Sequence, residues 1–126
     1  MRPLKKILHI DDDAVMRMMI KKSLERSGED FEVMSCPKVE EFMESLSSFN
    51  PDLLIIDVVM PIIDGPTLLQ RVRRLGNRIP AIFMTGQESI EFNDREKLEP
   101  IIGVIHKPFS PAMLGKDLLN LWKSKA

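Results

Sequence analysis

The chain has 126 residues, which predicts one domain long enough to bury a hydrophobic core. Hydrophobic residues make up 44% and charged residues 29%, a mixture typical of globular proteins and not of disordered chains. Lys and Arg number 18 against 19 Asp and Glu, so the net charge of -1 gives no electrostatic reason to expect nucleic acid or an anionic membrane as a partner.

The single cysteine and the absence of a long apolar run limit where the protein can act. Cys36 alone excludes an intrachain disulfide and fits a reducing compartment. No apolar run approaches the roughly 20 residues that a membrane-spanning helix needs. The apolar stretch after the basic N-terminus is short and ends in three aspartates, so a secretory signal is not expected.

Five short apolar runs without alternation predict strands that are buried on both faces, as in a parallel sheet. They are residues 7–10, 31–34, 53–56, 81–84 and 101–105. Five amphipathic stretches follow them in turn and predict helices over residues 14–26, 39–46, 68–75, 88–99 and 114–122. The order predicts five β-α units, that is, an α/β sheet with right-handed crossovers and helices on both faces.

Two of these helical stretches carry specific expectations about packing. In the first stretch we expect Met18 and Met19 to pack in the core, while Met16 could face a partner. In the stretch 88–99 the apolar residues Ile90 and Phe92 lie off a regular stripe, but the alternation of elements still predicts a helix there.

Polar residues that suit phosphoryl chemistry follow four of the five predicted strands. The first strand is followed by Asp11–Asp13 and the third by Asp57; the fourth ends at Thr85 and the fifth is followed by Lys107. Sites in open α/β sheets form outside the carboxyl ends of the strands, so these residues converge on one edge. Clustered carboxylates favour magnesium. A carboxylate can attack a phosphoryl donor, and a lysine and a hydroxyl can neutralise the transferring oxygens.

Four motifs in this order resemble the receiver domain of two-component response regulators, over about residues 4–124. The motifs are ILHIDD at 7–12, PDLLIIDVVMP at 51–61 with Asp64-Gly65, MTG at 84–86 and KPF at 107–109. The resemblance implies a doubly wound, flavodoxin-like sheet of five parallel strands in the order 2-1-3-4-5. It also implies a single receiver domain over residues 1–126.

The resemblance assigns a role to each residue of the metal and acceptor site. Asp57 would be the phosphoacceptor. Asp12 would bind magnesium directly, and Asp11 would hold a metal-bound water. Val59 would contribute its backbone carbonyl to the metal, so its side-chain type is immaterial for that contact.

The same resemblance assigns the switch residues. Thr85 would be the hydroxyl that moves to bond the phosphoryl group, and Lys107 would pair with a phosphoryl oxygen. The Lys107–Pro108 bond would be cis. The switch departs from the family at Val104, where a Tyr or Phe is usual, so activation is expected to move mainly Thr85 and the loop 86–89.

The resemblance further implies a signalling switch rather than a dedicated enzyme. The protein would take a phosphoryl group from a histidine kinase or histidine phosphotransfer protein onto Asp57, with magnesium as cofactor. It would then change conformation to control an unidentified downstream protein in the cytoplasm, without contacting nucleic acid directly or a membrane. It would catalyse its own phosphorylation and a slow dephosphorylation, because apolar Val59 cannot orient water, although Gln87 could.

Two other functions fit part of the pattern. Asp11-Asp12-Asp13-Ala14-Val15 matches the first motif of haloacid-dehalogenase-like phosphatases, with Asp11 as nucleophile and Asp13 as acid/base. That interpretation leaves Asp57 without a role, and the acidic pair that it requires beyond the lysine is missing from the sequence. Asp13 is also well placed to be the N-cap of the first helix. The second is a degenerate receiver that only binds a partner, which the intact acidic set and Lys107 disfavour.

The remaining singled-out residues are interpreted as structural. His9 and His106 lie in predicted strands, and Cys36 precedes Pro37 at a helix start, where an inert side chain is more common than a stabilised thiolate. The basic run Arg71, Arg73 and Arg74 is interpreted as a solvated helix face rather than a docking patch.

Overall fold

The structure, a computed structural model, describes residues 2–87 and 90–125. Within these residues, five parallel strands form one sheet in the order β2-β1-β3-β4-β5. They are β1 (Lys6–Ile10), β2 (Glu32–Cys36), β3 (Leu53–Asp57), β4 (Ala81–Thr85) and β5 (Ile101–His106). This confirms the predicted fold class and strand order.

In the described part of the chain, four α-helices cover the two faces of the sheet. They are α1 (Ala14–Glu25), α2 (Val39–Ser48), α3 (Gly65–Arg74) and α4 (Leu114–Ser124). Side chains of α2 and α3 share one core cluster with Leu8 and Ile10 of β1. Side chains of α1 and α4 share a second cluster with Ile7, because successive strand residues point to opposite faces. Within residues 2–87 and 90–125, no helix is long and apolar enough to cross a bilayer.

The helix predicted over residues 88–99 is wrong for the part that the structure describes. Glu88 and Ser89 lie outside the described residues, and residues 90–99 contain only a 3₁₀ turn at Arg95–Leu98. The apolar residues there still pack on the core, and the Phe92 ring lies 5.4 Å from that of Phe83. Because these contacts are irregularly spaced, an extended chain can make them and one helix face cannot.

The guanidinium of Arg73 connects this irregular segment to α3. Its nitrogens donate to the carbonyl oxygens of Leu98 at 2.9 Å, Pro100 at 3.0 Å, Ile79 at 2.7 Å and Asn77 at 3.2 Å. Burial lowers the pKa of Arg73 to about 10. The prediction of a solvated basic run is therefore wrong for Arg73, because its planar fork of donors satisfies carbonyls in the connection before β4 and just before β5.

The expected core packing of Met18 and Met19 is also wrong. Both side chains are exposed, whereas Ile20 and Leu24 are buried and Met16 packs partly against the same cluster. Residues 16, 20 and 24 repeat every four positions, so the buried stripe runs along a different side of α1 from the predicted one.

Candidate functional site

Lys107 joins two carboxylates at the edge of the sheet. Asp11 follows β1, Asp57 ends β3 and Lys107 follows β5. The Lys107 Nζ donates to Asp57 Oδ1 at 2.9 Å and to Asp11 Oδ2 at 3.3 Å. Asp11 and Asp57 are buried, so both ion pairs lie largely out of water. The structure therefore brings together three predicted site residues from distant parts of the chain, as the position of the strand ends predicts.

Asp12 completes an acidic cluster that could hold a metal ion. Asp11, Asp12 and Asp57 each offer a carboxylate oxygen within 4.8 Å of the other two. Asp12 is exposed and approaches from the solvent side, while Asp11 and Asp57 form the buried wall. Three carboxylates at this separation repel one another, and their hard oxygens are the donors that magnesium prefers. The donor set therefore fits magnesium.

The charges of the site shift the pKa values of both partners in the Asp57–Lys107 pair. Burial raises the pKa of the Asp57 carboxyl, and the charges of Asp11 and Asp12 act in the same direction, against the hydrogen bond from Lys107. Burial opposes the charging of Lys107, but the bonds to Asp57 and Asp11 outweigh it and raise its pKa. Lys107 therefore stays cationic, and Asp57 is a more basic carboxylate than an exposed one.

The backbone around Asp11 fixes the orientation of its carboxylate. Asp11 Oδ1 accepts from the Asp13 N–H at 2.9 Å, and the Asp11 carbonyl accepts from Arg17 Nη1 at 2.8 Å. Asp13 caps α1 by accepting from the N–H groups of Val15 and Met16, which confirms the predicted N-cap. The contact of Arg17 was not predicted; the available signal was its place one turn into the helix, next to the acidic run.

The start of α3 packs closely against the backbone of Asp57. A side chain at Gly65 would place its Cβ 2.5 Å from the Asp57 carbonyl oxygen, so only glycine fits there. The Gly65 N–H donates to the Val58 carbonyl at 2.8 Å, and Asp64 caps α3 through the Thr67 N–H. The side chain of Val59 is 61% exposed beside this turn. The Asp64-Gly65 motif thus packs the helix start against the strand that carries Asp57.

Thr85 is buried at the end of β4, and its hydroxyl contacts Gln87 rather than Asp57. Thr85 Oγ1 accepts from the Gln87 N–H at 3.0 Å. The Thr85 carbonyl accepts from the Lys107 N–H at 2.7 Å, so the Thr85 backbone positions the start of the lysine loop. The Lys107–Pro108 peptide is cis, as expected, and the Glu99–Pro100 peptide is also cis.

His9 and Cys36 are buried, whereas His106 lies at the surface. His9 is fully buried, its Nδ1 lies 3.1 Å from Ser35 Oγ, and burial together with the charges of Lys107 and Arg17 lowers its pKa to about 3. His106 is exposed at the end of β5, with Nδ1 3.1 Å from the Gln87 carbonyl. Cys36 is buried and burial raises the pKa of its thiol. The structural interpretation of Cys36 is confirmed. For His9 it holds only in part, because the buried Nε2 has no hydrogen-bond partner among the described residues.

Comparison with known protein families identifies the family to which this chain belongs. The model of the response regulator receiver domain matches residues 7–119. The chain belongs to this family. Among curated relatives it is 28% identical over 114 residues to the Bacillus subtilis alkaline phosphatase synthesis transcriptional regulatory protein PhoP, covering 85% of this chain and 44% of the relative. It is 32% identical over 85 residues to the Mycobacterium ulcerans response regulator MprA, covering 68% of this chain and 36% of the relative.

Solved receiver structures share the architecture. The Vibrio cholerae chemotaxis protein CheY4 superposes with a TM-score of 0.80 at 28% identity, covering 94% of this chain and 98% of that chain. The receiver domain of the Francisella response regulator 1452 gives a TM-score of 0.77 at 28% identity, covering 97% and 99%. The receiver chain spans less than half the length of the two curated relatives above.

Proposed function

We propose that the chain is a magnesium-dependent phospho-accepting receiver domain over residues 1–126, with Asp57 as the acceptor. The observation that carries the proposal is the ion pair from Lys107 to the buried Asp57, within a cluster that also contains Asp11 and Asp12. A purely structural ion pair would not need a third carboxylate beside the two that Lys107 bonds. Three carboxylates and one ammonium leave a net negative charge that suits a divalent cation, and the cation together with Lys107 can then neutralise an anionic phosphoryl group.

The proposed reaction is a phosphoryl transfer to Asp57. One carboxylate oxygen of Asp57 attacks the phosphorus, the bond between phosphorus and the donor nitrogen or oxygen breaks, and the donor keeps that electron pair. The product is an acyl phosphate. Lys107 turns from the free carboxylate to a phosphoryl oxygen, and the Thr85 hydroxyl leaves Gln87 to donate to another.

The residues that would hold magnesium are Asp12, Asp57 and the Val59 carbonyl, with Asp11 holding a coordinated water. Bound there, the ion would neutralise the developing charge on the phosphoryl oxygens. The orientation of Asp11 by the Asp13 N–H supports this arrangement, because it turns one oxygen of Asp11 to the backbone and leaves the other for the cluster.

The phosphatase hypothesis receives no support from the position of Asp13. An acid/base residue needs a carboxylate that is available to the leaving group. The Asp13 carboxylate instead accepts from two backbone N–H groups of α1, while Asp11 is paired with Lys107. Asp57, which that hypothesis leaves unused, lies at the centre of the ion-pair network.

The wider role of the domain follows from the same proposal. The phosphoryl donor would be a histidine kinase or a histidine phosphotransfer protein in the cytoplasm, and the phosphorylated form would control a downstream protein. Val104 packs partly into the core where an aromatic residue is usual in the family. We therefore expect the conformational response at Thr85 and Gly86–Gln87; residues 88 and 89 of that predicted loop lie outside the described residues.

Phosphorylation with a small donor tests the proposal. The protein is incubated with acetyl phosphate in magnesium and, separately, in a chelator, and its intact mass is measured. We expect the mass of one phosphate to be added only in magnesium. Asp12→Ala should nearly abolish the modification, because it removes the exposed ligand. Equal modification in chelator and in magnesium would contradict the proposed role of the metal.

A further inference from the structure

Helices α2 and α3 carry opposite charges on neighbouring exposed faces. Within Val39–Ser48 there are three acids, Glu40, Glu41 and Glu44, and no base. Within Gly65–Arg74 there are three bases and no acid, and of these Arg71 and Arg74 are exposed while Arg73 is used inside the fold. No ion pair joins the α2 acids to the α3 bases in the part of the chain that the structure describes.

A groove with an apolar floor separates these two charged walls; we call it the α2–α3 groove. Its upper cavity, about 680 Å³, is lined on the α2 side by Lys38, Val39 and Glu40, on the α3 side by Asp64, Thr67 and Arg71, and at its end by Asp12 of the acidic cluster. Its lower cavity, about 330 Å³, lies between Met43 and Leu46 of α2 and Leu75 after α3. The cavities lie in sequence along two helices that run in the same direction, and Glu40 and Arg71 line the upper cavity from opposite helices.

Two large apolar side chains are exposed at the ends of the groove. Ile62, at the upper end, is fully exposed, and Leu75, at the lower end, is 68% exposed. Ile62 also has a left-handed backbone, with φ of 73°, and the Ile63 N–H donates across it to the Pro61 carbonyl at 2.7 Å. This conformation is strained for a β-branched residue. The loop therefore holds an apolar side chain in water at a cost in backbone strain.

We propose that the α2–α3 groove is the interface for a second copy of this chain. In a two-fold dimer the same patch meets itself, so it must be self-complementary. A two-fold axis parallel to the groove places α2 of each copy opposite α3 of the other, at the same height. Each acidic helix then faces a basic helix, Ile62 meets Val39 at the start of the other copy's α2, and Leu75 meets the end of that helix.

The charge pattern selects a second copy over a foreign partner. A groove that received an unrelated acidic or basic segment would carry one sign of charge on both walls. Here the two helices carry opposite signs, and no ion pair crosses the groove in the described residues. The two side chains of the other sign, Lys38 before α2 and Asp64 before α3, would also face each other across the two-fold axis, so the patch stays self-complementary.

Charge reversal tests the dimer. One variant carries Glu40→Lys and Glu44→Lys, and the other carries Arg71→Glu and Arg74→Glu. Sedimentation equilibrium is measured from micromolar to millimolar protein at low salt, with circular dichroism to confirm folding. We expect the wild type to dimerise and each variant alone to dimerise at least about tenfold more weakly, because every reversed contact occurs twice in the interface.

An equimolar mixture of the two variants distinguishes this interface from any other. In the mixture each reversed α2 faces a reversed α3, so a heterodimer of wild-type strength is expected. The control pair, Glu25→Lys on α1 and Lys116→Glu on α4, reverses exposed charges outside the groove and should leave dimerisation unchanged. A wild type that stays monomeric to millimolar concentration, a dimer that survives either groove variant, or a mixture that fails to associate would overturn the proposal.

Discussion

The Lys107 ammonium donates a 2.9 Å hydrogen bond to the Asp57 carboxylate across 50 residues of sequence. It also reaches Asp11, so one cation serves two buried carboxylates while a third, Asp12, lies at the solvent side. The site thus retains excess negative charge. That excess makes the pocket receptive to a divalent cation, and the cation in turn would free Lys107 for a phosphoryl oxygen.

Removing Lys107 should separate metal binding from the response to phosphorylation. Lys107→Ala is expected to bind magnesium several-fold more tightly, because one positive charge is lost beside the carboxylates. Isothermal titration with magnesium checks this, with Lys116→Ala on the exposed face of α4 as the control. Weaker magnesium binding in Lys107→Ala would contradict the electrostatic account.

The same variant should respond poorly once phosphorylated. We expect the amide chemical shifts of Thr85 and Gln87 to change much less on phosphorylation than in the wild type. The variant lacks the ammonium that would pair with the phosphoryl group, and the Lys107 N–H connects this position to the Thr85 carbonyl. Unchanged phosphorylation-dependent shifts would show that Lys107 has no such role.

Self-dephosphorylation should be slow, with a lifetime of tens of minutes or longer. Val59, the residue two beyond Asp57, is exposed and apolar and cannot orient water. A group that positions water or takes its proton contributes about 100-fold to such steps. Val59→Asn should therefore shorten the lifetime at least about tenfold, whereas Ile62→Asn, an equal change in polarity on the same loop, should not. The decay is followed by intact mass, and wild-type decay within seconds would contradict the prediction.

Arg73 should contribute strongly to stability. Arg73→Ala leaves the carbonyls of Leu98, Ile79 and Pro100 without a charged donor and is expected to lower the free energy of unfolding by about 2 kcal/mol. Arg74→Ala, at the next and exposed position, should change it by less than about 0.5 kcal/mol. Urea unfolding at low protein concentration and high salt measures both, and equal effects would contradict the structural role of Arg73.

The Cys36 thiol should be unreactive in the native protein. Burial raises its pKa, so at any pH near neutrality the native thiolate fraction is below that of a free cysteine, and alkylation should begin at a higher pH than in the unfolded chain. The rate of alkylation by iodoacetamide is measured against pH with and without urea. Fast native labelling at neutral pH would support the rejected thiolate interpretation.

The sequence predicts the site better than it predicts the surface. Asp11, Asp57 and Lys107 could be placed together because parallel strands bring their carboxyl ends to one edge, whatever the details of the helices. The buried side of α1 could not be predicted as reliably, because its apolar residues lie on more than one side of the helix: Val15, Met18, Ile20 and Leu24. Packing against the rest of the fold buries the side of the helix that carries Ile20 and Leu24.

The segment before β5 shows why a helix could be wrongly predicted there. Ile90, Phe92 and Leu98 are apolar enough to cover the sheet, and the alternation of elements favours a helix. The end of the segment is held instead by Arg73, which donates to the Leu98 carbonyl from 25 residues earlier and looks like part of a solvated basic run. Nothing in the local sequence indicates that distant donor.

The most direct test of the central claim is which residue carries the phosphate. Wild type, Asp57→Asn and Asp13→Asn are treated with acetyl phosphate and magnesium, and intact mass is measured. We predict that wild type and Asp13→Asn each gain one phosphate and that Asp57→Asn gains none, because Asp57 is the carboxylate paired with Lys107 whereas Asp13 caps α1. An Asp57→Asn protein that is phosphorylated as fully as the wild type would contradict the account.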